Sequence, residues 1–150
     1  MTSNMNAKKL LKNIISFLVY LAVLAGLIYG IPKALVYSLE TPHPMASITS
    51  GSMWPSLKRG DLVLIKGIKN KKELEVGDIV VYENPRGFTI HRAVALKENI
   101  LITKGDANNV NDSPVEYEQI IGRAVELKNK PLRLPYLGLI SIFVSKYKNS

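Results

Sequence analysis

The sequence predicts a mainly β domain behind a single N-terminal transmembrane helix, with a short apolar segment at the C-terminal end. Two observations carry this reading. From Ile14 to Ile31 the chain reads IISFLVYLAVLAGLIYGI, eighteen residues without a charge. Beyond it the apolar runs become short and are punctuated by turn residues, as strands are. A third observation excludes a different class. The formal net charge of +8 suggests nucleic-acid binding until it is located. Lys8, Lys9 and Lys12 precede the long apolar run, and Lys128, Lys130, Arg133, Lys146 and Lys148 lie in residues 128–150; neither end carries an acid. Between them twelve basic residues meet twelve acidic ones, so the central body offers no excess charge to a phosphate backbone. No nucleic-acid partner is expected. The basic ends flank apolar segments, which makes membrane lipid the expected partner.

Each element follows in order. At a rise of about 1.5 Å per residue, Ile14–Ile31 approaches the roughly 30 Å of a hydrocarbon core. A cleavable leader has a shorter apolar region and an Ala-x-Ala site, and neither is present. The alternative for such a run is the buried core helix of a soluble domain. Three lysines before it and only Lys33 close behind predict a cytoplasmic N-terminus, with the chain from about residue 33 onward outside. Strands are predicted at Leu62–Lys66, Ile79–Tyr82, Phe88–Ala95, Ile100–Lys104 and Ile120–Leu127. Gly60-Asp61 and Gly77-Asp78 precede two of them as turn formers, glycine permitting positive φ and aspartate bonding nearby backbone. Residues 131–145, PLRLPYLGLISIFVS, are apolar but interrupted by Arg133, too short to span; an interfacial segment and packing against the β domain are the two readings. The expected organisation is a basic cytoplasmic tail over 1–13, an anchor over 14–31, an extracytoplasmic domain over 32–127, and a basic, apolar membrane-associating segment over 128–150.

The chain has no cysteine, which removes disulfides, thiolate metal sites and a cysteine nucleophile. The hydroxyl of a serine needs a base and oxyanion donors before it reacts. In Thr49-Ser50-Gly51-Ser52-Met53-Trp54-Pro55 hydroxyls surround a glycine that permits close backbone approach. The stretch begins about eighteen residues beyond the anchor, which predicts a position near the membrane surface. Taken alone, it is more often a structural loop. Only His43 and His91 offer a base near neutral pH. His43 stands between two prolines in an extended linker. His91 lies in a strand pattern whose period of two puts it on one face with Thr89, Ala93 and Ala95, small residues that leave room for a peptide or a partner side chain. Phe88, Ile90, Arg92 and Val94 share the other face. A polar loop, Thr103-Lys104-Gly105-Asp106-Ala107-Asn108-Asn109-Val110-Asn111-Asp112, follows a predicted strand. Turn formation explains it by default, it lacks the ligand ladder of a calcium loop, and either Asp106 or Asp112 has the chemistry to orient a histidine.

In this order and setting, the motifs resemble type I signal peptidases of the archaeal and endoplasmic-reticulum branch. Ser50-Gly51-Ser52-Met53-Trp54-Pro55, with its spacing to Gly60-Asp61, is similar to the serine box. Ile90-His91-Arg92 is similar to the box that supplies the base, and Lys104-Gly105-Asp106, Asn108 and Asp112 to the acidic box. Ala107 departs from the commonest form of that last box. The resemblance runs from the anchor to about Leu127 and implies a signal-peptidase-like β catalytic domain. It implies Ser52 as nucleophile, His91 as general base, Asp112 as orienting acid and Asp106 as a second important carboxylate. The Ser52 backbone N–H with the Ser50 hydroxyl is implied as the oxyanion site.

The implied activity is removal of N-terminal signal peptides from exported preproteins after small residues, without metal or organic cofactor. The implied partners are signal-peptide-bearing preproteins, with accessory subunits or export machinery as further candidates. The implied location is the cell membrane, or the endoplasmic-reticulum membrane in a eukaryote. Two alternatives stand beside it: a non-catalytic membrane-anchored β interaction module, and a Ser/Lys peptidase using Lys66 or Lys104.

Overall fold

The computed structural model describes residues 2–85 and 87–148 and resolves two compact units that meet between Ser38 and Leu39. The first is one helix, α1 (Thr2–Ser38). Its stretch Lys8–Ser38 has a mean hydropathy of 2.4 in its most apolar window, none of it buried within the chain. A core helix of a soluble domain buries its apolar face against neighbours, and this helix does not. It is an N-terminal membrane helix. It is also longer than the uncharged run predicted it to be. Pro32 lies inside it rather than ending it, and the apolar Ala34-Leu35-Val36-Tyr37 continues the helix. A proline in an apolar helix forfeits one ladder bond, and local adjustments re-satisfy the freed carbonyl.

The second unit is antiparallel β. Its strands are β1 (Met45–Ser47), β2 (Leu62–Lys66), β3 (Ile79–Asn84), β4 (Gly87–Leu96), β5 (Ile100–Lys104), β6 (Val115–Glu116), β7 (Ile120–Ala124), β8 (Glu126–Leu127), β9 (Lys130–Pro131) and β10 (Arg133–Leu134). The main sheet runs β1-β2-β7-β3-β4-β5-β6, with β10 also on β2, and β8 and β9 form a separate hairpin. β3 lies inside it, between β7 and β4, and its residues Ile79-Val80-Val81-Tyr82 are buried in succession. Such a run belongs to a strand covered on both faces. Ile79 and Val81 join Ile48, Met53, Leu57, Val63 and Ile65 in one core. Val80 and Tyr82 point the other way, into a core with Leu74, Ala93, Leu101 and Val115.

The two Gly-Asp turns behave as the residues predict. Gly60 and Gly77 hold φ of 92° and 107°, and the Asp61 and Asp78 carboxylates accept the backbone N–H of Lys58 and Glu75, both at 2.9 Å. Each aspartate also takes an arginine from a later segment, Arg133 at 2.8 Å and Arg123 at 3.2 Å.

Three expectations change. The predicted strand Ile120–Leu127 divides after Ala124, because Lys128 and Asn129 take φ of 52° and 60° and turn Glu126–Leu127 back onto Lys130–Pro131. Positive φ at both residues is what a tight two-residue hairpin loop requires. In β4 the register slips between Ala93 and Ala95, so Leu96 rather than Ala95 joins Ala93 in the core. One extra residue in a strand reverses its faces. Finally, the domain does not end at Leu127. β10 lies on β2, Arg133 bonds Asp61, and α2 (Gly138–Lys148) starts against the domain. There Gly138 N–H donates to the Gly60 carbonyl at 2.9 Å, and a Cβ on Gly60 would lie 2.8 Å from Leu139 Cδ2. The beginning of residues 128–150 therefore packs on the β domain, while Ile140, Phe143, Val144 and Tyr147 of α2 stay exposed. The side chains of Lys146 and Lys148, expected at lipid headgroups, lie outside the described residues.

Candidate active site

Ser52 sits in the loop between β1 and β2, held from below by two side chains. Met53 and Leu57 are fully buried, and Leu57 N–H donates to the Met53 carbonyl at 2.9 Å. With its neighbour anchored in the core, Ser52 is left half-buried at the surface. The acidic loop secures the same residue from the side, for Ala107 N–H donates to the Ser52 carbonyl at 2.8 Å. Gly105 makes that approach feasible: a Cβ there would lie 2.7 Å from the Ser52 carbonyl oxygen.

Ser52 Oγ lies 3.0 Å from His91 Nε2, and His91 Nδ1 lies 2.6 Å from Asp112 Oδ2. The loop, strand β4 and the segment after β5 thus converge on one hydrogen-bonded line. An ionised carboxylate only accepts, so Nδ1 carries the proton and Nε2 is left to accept from the serine. Asp112 is itself oriented. Its N–H donates to the Thr103 carbonyl at 2.8 Å, and the buried Thr103 hydroxyl donates to Oδ2 at 2.7 Å. The Tyr82 phenol stands 3.4 Å from that oxygen and 3.3 Å from Thr103 Oγ1. Burial raises the Tyr82 pKa, with the Asp112 charge adding to the effect against the opposing Thr103 hydrogen bond, so the phenol keeps its proton.

Asp106 goes elsewhere. Its oxygens take Arg92 Nε and Nη2 at 2.8 and 2.7 Å, and Arg92 also donates to the Gly77 carbonyl at 2.7 Å and to Ser56 Oγ at 3.1 Å. Burial pushes the Asp106 carboxyl up, but the Arg92 and Ser56 hydrogen bonds and the Arg92 charge together hold it below its ordinary value. Ser50 Oγ lies 3.1 Å from Ser52 Oγ, and Ser52 N–H is 3.5 Å from Ser50 Oγ. His43 is away from this line, its ring 5.1 Å from that of Phe88. No hydrogen bond joins Ser52 to Lys66 or Lys104 among the described residues. Thr103, Tyr82 and Arg92 are the site's contributors that the sequence reading passed over as functional groups. The available signal was a threonine at an inward-facing position of an otherwise apolar strand.

Two cavities open on His91. One of about 330 Å³ lies between β1 with the serine loop and the first half of β4, walled by Ala46, Ile48, Val81, Phe88 and Ile90 beside Ser52. The other, about 670 Å³, is bordered by Asn84, Thr89, Asp112, Ser113, Pro114 and Gln119.

A membrane helix joined to an antiparallel β unit carrying a serine–imidazole–carboxylate line defines a membrane-anchored serine peptidase. Comparison with known proteins gives the family. The model of the family described as "Signal peptidase, peptidase S26" matches residues 11–134. The chain is 35% identical over 124 residues to the signal peptidase complex catalytic subunit SEC11 of Colletotrichum graminicola, covering 77% of this chain and 72% of that protein. It is 34% identical over 130 residues to the protein of the same name from Metarhizium acridum, with the same shares covered. Against that of Plasmodium falciparum it is 32% identical over 130 residues, covering 77% of this chain and 66% of the relative. This chain belongs to the S26 signal peptidase family, the serine peptidases that remove signal peptides.

Proposed function

We propose that Ser52 is the nucleophile, His91 the general base and Asp112 the group that holds the imidazole. The observation that carries this reading is the unbroken series Ser52 Oγ–His91 Nε2–Asp112 Oδ2 at 3.0 and 2.6 Å. Ser52 Oγ attacks the scissile carbonyl while Nε2 takes its proton; the imidazolium then gives that proton to the leaving amine, and water hydrolyses the acyl-enzyme by the same route. The Ser52 N–H and the Ser50 hydroxyl are the assigned oxyanion donors. Asp106 acts at one remove, fixing Arg92 beside His91 and Ser56 beside the serine loop.

The acyl half of the substrate fits the cleft of about 330 Å³. Phe88–His91 pairs with β3 along one edge, while pairing with β5 begins only at Arg92; β1 pairs only with β2 among the described residues. An extended peptide inserted between these two edges gains main-chain hydrogen bonds. Val81, Phe88 and Ile90 leave space for small side chains before the cut bond and exclude large ones, which favours an Ala-x-Ala-like site. The alternative Ser/Lys mechanism lacks a lysine bonded to Ser52, and a non-catalytic module gives no reason for the three groups to align.

Residues 14–31, within α1, are the anchor, with residues 1–13 cytoplasmic and the β unit outside, in the cell membrane or the endoplasmic-reticulum membrane of a eukaryote. Confining enzyme and precursor to one membrane raises their effective concentration. Apolar α2 lies in the interface. The relatives' names describe subunits of a complex, and this chain is assigned accessory partners on that basis.

The test is cleavage of a precursor bearing an Ala-x-Ala site by the detergent-solubilised full chain. Ser52→Ala and His91→Ala are each expected to lose on the order of 10⁴-fold or more in kcat. Turnover retained by His91→Ala refutes the base, and equal cleavage by Ser52→Ala refutes the nucleophile.

A further inference from the structure

The larger cavity has no role in the acyl half of the reaction, yet it opens beside the same imidazole. Resting on the triad reading above, we infer that the cavity of about 670 Å³ receives the first two or three residues of the released chain, those just after the cut bond. The leaving nitrogen must come within hydrogen-bond reach of His91 Nε2 to be protonated. The cut bond therefore sits where Ser52 Oγ and His91 Nε2 face each other at 3.0 Å. The two cavities share only Thr89 and His91 as lining residues. A peptide whose acyl half fills the apolar cleft passes His91 at its cut bond and has the second cavity ahead of it. The volume falls within the range of about 300 to 1,000 Å³ usual for ligand sites, and three extended residues span about 10 Å.

The lining also indicates what the site reads. Asn84, Thr89, Ser113 and Gln119 are neutral and polar, and Pro85 and Pro114 are rigid. The Asp112 carboxyl at its edge is already engaged by His91 and Thr103. Such walls hold an extended main chain without selecting its side chains.

Two measurements test this on the full chain in detergent. First, a Ser52→Ala enzyme is irradiated with precursors carrying a benzophenone side chain either two residues after the cut bond or three before it. The probe after the bond is expected to attach within 84–85 or 113–119; attachment confined elsewhere overturns the inference. The probe before the bond reports separately on the acyl cleft: if it alone misses 46–48, 81 and 88, the cleft assignment fails and the second site stands. Second, kcat/KM of the unmodified enzyme is followed for peptides extended by one, two, three and four residues past the bond. A rise of about tenfold up to the third residue and then a plateau is expected. Indifference to length overturns the inference.

Discussion

Three hydrogen-bonding groups crowd one oxygen of Asp112, and their geometry separates two aspartates that look alike in sequence. His91 Nδ1 and Thr103 Oγ1 lie 2.6 and 2.7 Å from Oδ2, with the Tyr82 phenol at 3.4 Å. Asp106 instead grips Arg92 with both oxygens. Substituting each with asparagine is therefore expected to give different phenotypes. Asp112→Asn presents an amide that favours the wrong imidazole tautomer, and kcat falls by roughly 10⁴-fold with little change in KM. Asp106→Asn breaks a partly exposed bidentate ion pair and lowers stability by about 1–2 kcal/mol in denaturant titration, with a loss of kcat nearer tenfold. Thr103→Val keeps volume but deletes one donor to the carboxylate. Its kcat is expected to fall about tenfold while KM holds, with Thr103→Ser restoring most of the loss. The spacing of the acidic loop made either aspartate chemically eligible. Nothing local to 104–112 distinguishes them, since the choice depends on where β4 presents His91 and Arg92.

At the scale of elements, the site depends on how the acidic loop meets the serine loop. Ala107 N–H bonds the Ser52 carbonyl, and Gly105 allows the contact because it has no Cβ. Gly105→Ala would place a Cβ 2.7 Å from both Ser52 O and Asn108 Nδ2, so one of the loops must move. Displacement of Ser52, the proposed nucleophile, by a few tenths of an ångström to 1 Å is expected to lower kcat by up to about 10²-fold, measured alongside Tm to separate misplacement from unfolding. The strands themselves were legible, because their apolar runs and Gly-Asp turns are local signals. Two exceptions have local causes that a period of two does not register: the bulge between Ala93 and Ala95, and the positive φ of Lys128 and Asn129.

Across the whole molecule, paired charges tie distant segments together, and the Asp106 pair gives a response to acid. Arg92–Asp106, Arg123–Asp78 and Arg133–Asp61 join segments 14, 45 and 72 residues apart. The Asp106 carboxyl is held below the ordinary aspartate range in the folded chain. A carboxylate depressed on folding stabilises the fold fully above its unfolded pKa and loses that contribution as pH falls through the folded value. Stability from this pair is thus expected to be flat from about pH 5 to 7 and to decline below about pH 4. Tm measured against pH should fall less steeply at the acid end in Asp106→Asn, which has already lost the contribution.

The sequence alone determined the membrane helix and most of the strands, which rest on uncharged length, alternation and turn residues, all short-range properties of the chain. The serine, the histidine and the pair of aspartates proposed for the chemistry were indicated by the order of motifs that resembles the signal peptidases. The tertiary structure decided the rest: Asp112 rather than Asp106 at the imidazole, Thr103 and Tyr82 behind it, the attachment of Arg133–Leu134 and α2 to the β unit, and two cavities meeting at one histidine. Each depends on register and on contacts between segments tens of residues apart, where neither propensity nor spacing specifies which side chains meet.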